Sequence, residues 1–200
     1  RRHAGAAECD RPLRTAERVY TRLLDPMSEW MDTHVINYIH RHAFPAYFYR
    51  QFDDPGLVAE TEYWYRMHLD SWGQQPRGIF GADELLRPDY TDPRQAFETC
   101  GFTEFLLAFS RIGAATGDTK HADRMEDLAF NHLPAAFTPD HTALHYLTAS
   151  NQPQLDAGEL HDYTNKGHQI DYSPWRYRCC RHNHALAWPL FAHSIYQATA

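Results

Sequence analysis

The sequence has no apolar run long enough to cross a membrane, since a spanning helix needs roughly 20 consecutive apolar residues. It also has no basic stripe: 19 Lys and Arg stand against 26 Asp and Glu, a formal net charge of −7. Nucleic acids and anionic membranes are bound through clustered positive charge, so we expect neither as a partner. The 43% hydrophobic and 22% charged residues are typical of a folded globular chain.

Cysteine is scarce, and the spacing of the four cysteines does not indicate a disulfide framework. They are Cys9, Cys100, Cys179 and Cys180. The adjacent pair, Cys179 and Cys180, can bridge only through a strained ring, because disulfides prefer a wider Cα separation. We interpret the pair as reduced thiols that serve a metal, which favours a cytoplasmic location.

Neither end of the sequence carries a terminal signal. The first residues show no initiating Met and no apolar core of a signal peptide, and the last follow a helical pattern without a glycine cap. We therefore expect residues 1–200 to be part of a larger domain that is truncated at both ends.

Apolar residues recur with helical periodicity along most of the chain. The pattern predicts helices over residues 13–24, 35–52, 57–72, 93–115, 120–133 and 182–197. Two connections, 49–55 and 114–120, are alike, since each places Asp at the start of a helix that follows a Phe- and Ala-rich helix. Repeated helical hairpins favour an α/α barrel or solenoid, with a plain helical bundle as the alternative.

The pattern changes between residues 139 and 177. Residues 143–148 alternate like a short strand. Residues 151–173 are polar and predict a long loop, and such loops inside compact domains are usually functional. This one leads directly towards Cys179.

One carboxylate and three thiols form a complete candidate ligand set for zinc: Glu98, Cys100, Cys179 and Cys180. The alternative is that the cysteines are ordinary buried apolar residues. Residues two apart on an α-helix point about 200° apart, so Glu98 and Cys100 cannot face one ion from a regular helix. We therefore predict extended or irregular backbone over residues 97–101, which Gly101 would permit.

A second acidic group lies upstream, at Asp83 and Glu84. The apolar neighbours Phe80, Leu85 and Leu86 favour the protonated form of a carboxyl, as a proton donor requires. The alternative is a solvated loop carboxylate.

Several motifs occur in sequence from about His34 to the C-terminus: Glu84-x5-Tyr90, Glu98-Thr99-Cys100, Gly117-Asp118, Ala122-Asp123, Asn131, Tyr146, Cys179-Cys180 and Asn183. Their order is the one found in glycoside hydrolase family 127, the β-L-arabinofuranosidases and their relatives, which the chain resembles over this span. Glu-Thr-Cys and the Cys-Cys pair are the most specific of these.

The resemblance implies an all-α fold, part of an (α/α)6 barrel built from helical hairpins, with a short β-hairpin insertion. Residues 1–200 would then be a single partial barrel catalytic domain. The implied activity is hydrolysis of a carbohydrate substrate with retention of configuration. Zinc would be bound by Glu98, Cys100, Cys179 and Cys180, with Cys179 as nucleophile and Glu84 as general acid/base.

Sugar-binding roles follow for four residues. The resemblance implies them for His34 and Tyr146. His182 can orient hydroxyls, unless it is only a polar group on a helix face, and Trp175 beside the cysteines can stack on a sugar ring.

The chain departs from the family pattern in two places, and other functions stay open. Arg181-His182-Asn183 follows the cysteine pair where Pro-Pro-Asn is common, and the interval from Tyr90 to Glu98 is shorter than usual. Both changes bear on sugar specificity more than on zinc. The alternatives are a non-catalytic domain with a closed structural zinc site, in which Glu84 would be solvated, and a metal-free epimerase or lyase, in which the cysteines would not converge.

Overall fold

A computed structural model describes residues 14–18, 34–73, 78–86, 96–150, 169–170 and 178–197. Residues 14–18 are helical. The further helices are α1 (Val35–Phe52), α2 (Pro55–Trp72), α3 (Thr99–Thr116), α4 (Lys120–Asp127), a π-helical turn (Leu128–His132), α5 (Leu133–Ala135) and α6 (Arg178–Ser194). The strands are β1 (Phe97–Glu98), β2 (Leu144–His145), β3 (Leu147–Thr148) and β4 (Gln169–Ile170).

Helix α3 lies at the centre of the packing and contacts α1, α4 and α6. Its apolar residues recur every three or four positions, which places them on the buried faces of one helix. The side chains of Phe102, Phe105, Phe109 and Ile112 are almost completely buried. Burial of each such side chain is worth about 1.5–3 kcal/mol, so α3 anchors the elements that pack on it.

The two helical hairpins share one type of turn. Asp53 and Gly117 both adopt left-handed backbone, with φ of 55° and 72°, and each N–H donates to the carbonyl four residues earlier. The following Asp side chains accept from the next helix, Asp54 from the N–H of Gly56 at 2.9 Å and Asp118 from the N–H of Lys120 at 3.0 Å. The predicted similarity of these connections is confirmed.

The strands form two small antiparallel pairs. β1 pairs with β3, so that Glu98 lies opposite Leu147, and β2 pairs with β4. The ring of Phe97 lies against two glycines: a Cβ on Gly81 or Gly101 would come within 2.1 or 2.7 Å of ring atoms. β1 can therefore lie against α3 only because these positions carry no side chain.

The helical class and the short β insertion are confirmed, with two corrections to helix boundaries. The helix predicted from residue 93 begins at Thr99, because residues 97 and 98 pair as a strand. The helix predicted from His182 begins at Arg178, so the cysteine pair lies in its first turn. Of the predicted helix 13–24, only residues 14–18 are described. Within the described ranges, no helix is both long enough and apolar enough to cross a membrane.

Candidate metal centre and active site

Glu98 occupies the junction between β1 and α3. Its backbone is extended, with φ −71° and ψ 130°, and its N–H donates to the carbonyl of Ala82 at 3.0 Å. Regular helix begins at the next residue, so Glu98 and Cys100 can face one point. The predicted break is confirmed for residues 97 and 98, but residues 99–101, which were included in it, are helical.

Thr99 joins this junction to the β insertion. Its hydroxyl donates to the carbonyl of His145 at 2.6 Å, and its N–H donates to the carbonyl of Tyr146 at 3.0 Å. The sequence does not indicate this positioning role, because the partners are more than 40 residues away and the local pattern marks Thr99 only as the middle of the Glu-Thr-Cys motif. Tyr146 is buried beside the junction.

The three thiols lie at the first turns of two helices. Cys100 is the second residue of α3, and Cys179 and Cys180 are the second and third residues of α6. The N–H groups and dipoles of helix N-termini favour negative charge, so both helices stabilise thiolates at this point. The hydroxyl of Thr103 donates to the carbonyl of Asn183 at 2.8 Å and joins the two helices, a further contact that the sequence did not indicate.

The four predicted ligands converge. One donor atom from each of Glu98, Cys100, Cys179 and Cys180 lies within 4.8 Å of the others. The Sγ atoms of Cys100 and Cys180 are 3.2 Å apart, and Cys180 Sγ is 3.7 Å from Glu98 Oε1. The premise of the epimerase or lyase alternative, cysteines without a common focus, does not hold.

Glu98 is a buried carboxylate whose charge is poorly compensated. It is 2% exposed, and its Oε2 has no hydrogen-bond partner within the described part of the chain. Burial raises the pKa of Glu98 to about 7. A buried anion next to clustered thiols requires a cation, so this donor set fits a zinc ion.

Cys179 differs from the other two thiols. It is exposed, whereas Cys100 and Cys180 are buried. Hydrogen bonds from Cys100 and Cys180 lower the pKa of Cys179. The hydrogen bond to Cys179 raises the pKa of Cys100, and burial raises that of Cys180. Of these three sulfurs, Cys179 is therefore the one that solvent can reach and whose thiolate form its neighbours favour.

Glu84 joins the cluster through His34. The Nε2 atom of His34 is 3.0 Å from Glu84 Oε2 and 3.7 Å from Glu98 Oε2. The side chains of His34 and Glu84 are 27% and 30% exposed, so this part of the site is open to solvent. The neighbouring Asp83 is 1% exposed. Donor atoms of His34, Glu84 and Glu98 also lie within 4.8 Å of one another, so the two groups share Glu98.

The remaining predicted site residues are not part of the group of converging donor atoms. His182 is exposed one turn after Cys179 and lies on the same face of α6. Trp175 lies outside the described residues, as do Tyr90 and Cys9. The structure therefore brings together Glu84, Glu98 and His34 with the three thiols of the ligand set.

The fold and the site define an all-α protein with an open carboxylate–thiolate centre beside a second carboxyl, an arrangement typical of an enzyme active site. The model of one protein family, the beta-L-arabinofuranosidase, GH127 catalytic domain, matches residues 16–193. The chain belongs to this family and is a glycoside hydrolase. A comparison with curated proteins gives no match.

Proposed function

We propose that the chain hydrolyses β-L-arabinofuranosides, or glycosides of a related sugar, with retention of anomeric configuration. Family membership supports the substrate class. The observation that carries the mechanism is the convergence of an exposed thiol, three buried donors and a partly exposed carboxyl on one site.

Glu98, Cys100, Cys179 and Cys180 would hold the zinc ion. When bound, zinc keeps coordinated thiols deprotonated at neutral pH and offsets the negative charge that they bring together. The protein prepares the site through the first turns of α3 and α6, whose N–H groups stabilise the same charge.

In the first half of the reaction, the Cys179 thiolate attacks the anomeric carbon. A carbon–sulfur bond forms as the bond between that carbon and the leaving oxygen breaks. Glu84 donates its proton to the leaving oxygen, so the departing group is a neutral alcohol. The product is a thioglycosyl-enzyme and a Glu84 carboxylate.

In the second half, water replaces the sulfur. The Glu84 carboxylate accepts a proton from the incoming water, whose oxygen bonds to the anomeric carbon. The carbon–sulfur bond breaks, and Cys179 departs as a thiolate. Two inversions at one carbon give net retention, and Glu84 returns to its protonated form.

Three further residues are proposed to contact the sugar. The carbonyl of Tyr146 accepts from the N–H of Thr99, the residue after Glu98, and His182 lies on the same face of α6 as Cys179. Trp175, four residues before Cys179 in the sequence, is proposed to stack on the ring.

A closed structural zinc site is the second candidate function. Structural zinc sites bury four ligands and keep no position open for substrate. Here Cys179 is exposed, and Glu84 is held near the site by His34 rather than left in solvent. Both observations favour catalysis.

The test compares Cys179→Ser with Ala185→Ser, which changes an exposed residue on the same helix. We expect Cys179→Ser to lower kcat on an aryl β-L-arabinofuranoside at least about 1,000-fold, because the nucleophile is lost. Ala185→Ser should leave kcat on the same substrate unchanged. Proton NMR of the first product formed by the unaltered chain should show the β-anomer.

Two results would contradict the proposal. If Cys179→Ser hydrolysed the substrate undiminished with zinc retained, Cys179 would not be the nucleophile. If the first product were the α-anomer, the enzyme would invert, and a covalent intermediate on Cys179 would be excluded.

A further inference from the structure

His34 and Glu84 are held together by their backbones. Residue 34 forms an isolated antiparallel bridge with Leu85, and the N–H of Val35 donates to the carbonyl of Glu84 at 2.8 Å. His34 is also the N-cap of α1. The start of a helix is therefore fixed against the segment that carries the proposed acid/base.

The helix N-terminus determines which nitrogen of His34 carries hydrogen. Nδ1 accepts a hydrogen bond from the N–H of Ile36 at 3.2 Å. A backbone N–H can only donate, so Nδ1 must present a lone pair. The hydrogen of the neutral ring then lies on Nε2.

The Nε2 hydrogen points into the acidic pair. Nε2 lies 3.0 Å from Glu84 Oε2 and 3.7 Å from Glu98 Oε2, so its N–H donates to Glu84 and lies near Glu98. An oxygen that accepts this bond is the poorer place for the carboxyl's own proton. In protonated Glu84 the proton therefore lies on Oε1.

We propose that His34 is a positioning residue: the α1 N-terminus fixes its tautomer, and its Nε2–H fixes the Glu84 carboxyl with Oε1 as the proton-transferring atom. This inference rests on the proposed function, in which Glu84 is the acid/base. Both ring nitrogens are engaged within the protein in this arrangement, and the sugar-binding role that the resemblance implied for His34 stays a prediction.

Two substitutions of His34 distinguish the role of Nδ1 from the role of Nε2. In His34→Asn, the side-chain oxygen occupies the position of Nδ1 and can cap α1, but the side chain is too short to reach Glu84. In His34→Gln, an amide N–H occupies the position of Nε2 and can donate to Glu84, but the cap acceptor is lost. His40→Asn is the control, since His40 also lies on α1 but pairs with Glu104, at 3.0 Å, rather than with Glu84 or Glu98.

The leaving group distinguishes acid positioning from sugar binding. A dinitrophenyl leaving group needs little protonation, whereas the alcohol of an arabinofuranosyl disaccharide needs it fully. We expect His34→Asn to lower kcat on the disaccharide roughly 10–100-fold and on the dinitrophenyl glycoside less than about 3-fold, with KM nearly unchanged. His34→Gln should keep most of the disaccharide activity and unfold at a lower temperature.

If His34 bound the sugar, or served only the stability of the fold, the variants would give different kinetic and thermal results. Equal losses on both substrates with raised KM would overturn the proposal in favour of sugar binding. Equal losses with a lowered unfolding temperature in His34→Asn would overturn it in favour of structure.

One readout is independent of activity. Long-range nitrogen–proton NMR of the histidine-labelled, unaltered chain should show His34 with a hydrogen-free Nδ1 and a hydrogen-bearing Nε2. The opposite tautomer would overturn the proposal even if every variant were inactive. If the unaltered chain hydrolysed no arabinofuranoside but had the expected tautomer, the proposed function would fail while the His34–Glu84 arrangement stood.

Discussion

Glu98 combines burial with a negative charge that its neighbours within the described residues leave poorly compensated. Its carboxylate is buried, and one of its oxygens lacks a hydrogen bond within the described residues. The three thiols of the proposed ligand set lie within 4.8 Å of it. An ionised group in this position costs several kcal/mol unless a cation compensates it. Without a metal ion, Glu98 lowers the stability of the fold; with a metal ion, it completes the ligand set. This combination is typical of a residue that serves function rather than folding.

His68 allows a test of burial at the residue scale, away from the site. It is completely buried among Tyr38, Trp64, Trp72 and Phe80, and neither ring nitrogen has a hydrogen-bond partner within the described ranges. Burial, with a smaller effect of Arg41, lowers the pKa of His68 to about 3.

The sign of the pH dependence follows from this shift. Between the unfolded pKa near 6.5 and the folded pKa near 3, the unfolded chain binds a proton that the folded chain excludes. The contribution of His68 to the free energy of unfolding is therefore fully present above pH 6.5. It falls as the pH drops below this value, by up to about 1.4 kcal/mol per pH unit for one histidine. We expect His68→Leu to reduce the loss of unfolding free energy between pH 7 and pH 5 by roughly 1–2 kcal/mol.

Urea unfolding of the parent and the variant, with chelator present in both, measures this difference while cancelling any loss of metal. The control is the exposed His193, changed to Gln, which removes a histidine without altering the buried core. An unaltered pH dependence in His68→Leu would show that His68 is not the buried neutral group described here.

At the scale of elements, the site depends on how closely β1 approaches α3. Phe97 precedes Glu98, and its ring lies against Gly101 in the first turns of α3. A side chain at Gly101 would therefore displace the strand that carries the carboxylate ligand.

Two glycines of α3 make a matched pair for testing this contact. In Gly101→Ala the new Cβ would lie 2.7 Å from the Phe97 ring, whereas in Gly113→Ala it would come no closer than 3.5 Å to any neighbour. We expect Gly101→Ala to destabilise the fold by about 1–3 kcal/mol and to weaken zinc binding. Gly113→Ala should stabilise by about 0.5–1 kcal/mol, the ordinary gain for a helix interior.

Thermal unfolding and zinc affinity of both variants decide the matter. If Gly101→Ala behaved like Gly113→Ala in both measurements, the approach of β1 to α3 would not control the position of Glu98.

At the scale of the whole molecule, local patterns predicted elements but not how they meet. The hairpin turns at 53–54 and 117–118 were predictable because Asp and Gly have local roles in capping. The break at Glu98 was predictable because two ligands two residues apart cannot share one face of a helix.

The remaining features depend on contacts between distant residues. The Thr103–Asn183 bond spans 80 positions and leaves no local trace in the sequence. The start of α6 at Arg178 was missed because Arg178–Arg181 has no apolar periodicity, and α6 packs on α3, which is distant in the sequence. Cys100 and the 179–180 pair come from separate helices, so their convergence was a hypothesis until the fold was known.

The central claim is that one carboxylate and three sulfurs bind a single zinc ion. Zinc-edge X-ray absorption of the chain loaded with one equivalent of zinc measures the coordinating atoms directly. We expect three sulfurs at about 2.3 Å and one oxygen at about 2.0–2.2 Å, with one sulfur fewer in Cys100→Ser. Zinc bound without sulfur, or a sulfur count unchanged by Cys100→Ser, would contradict it.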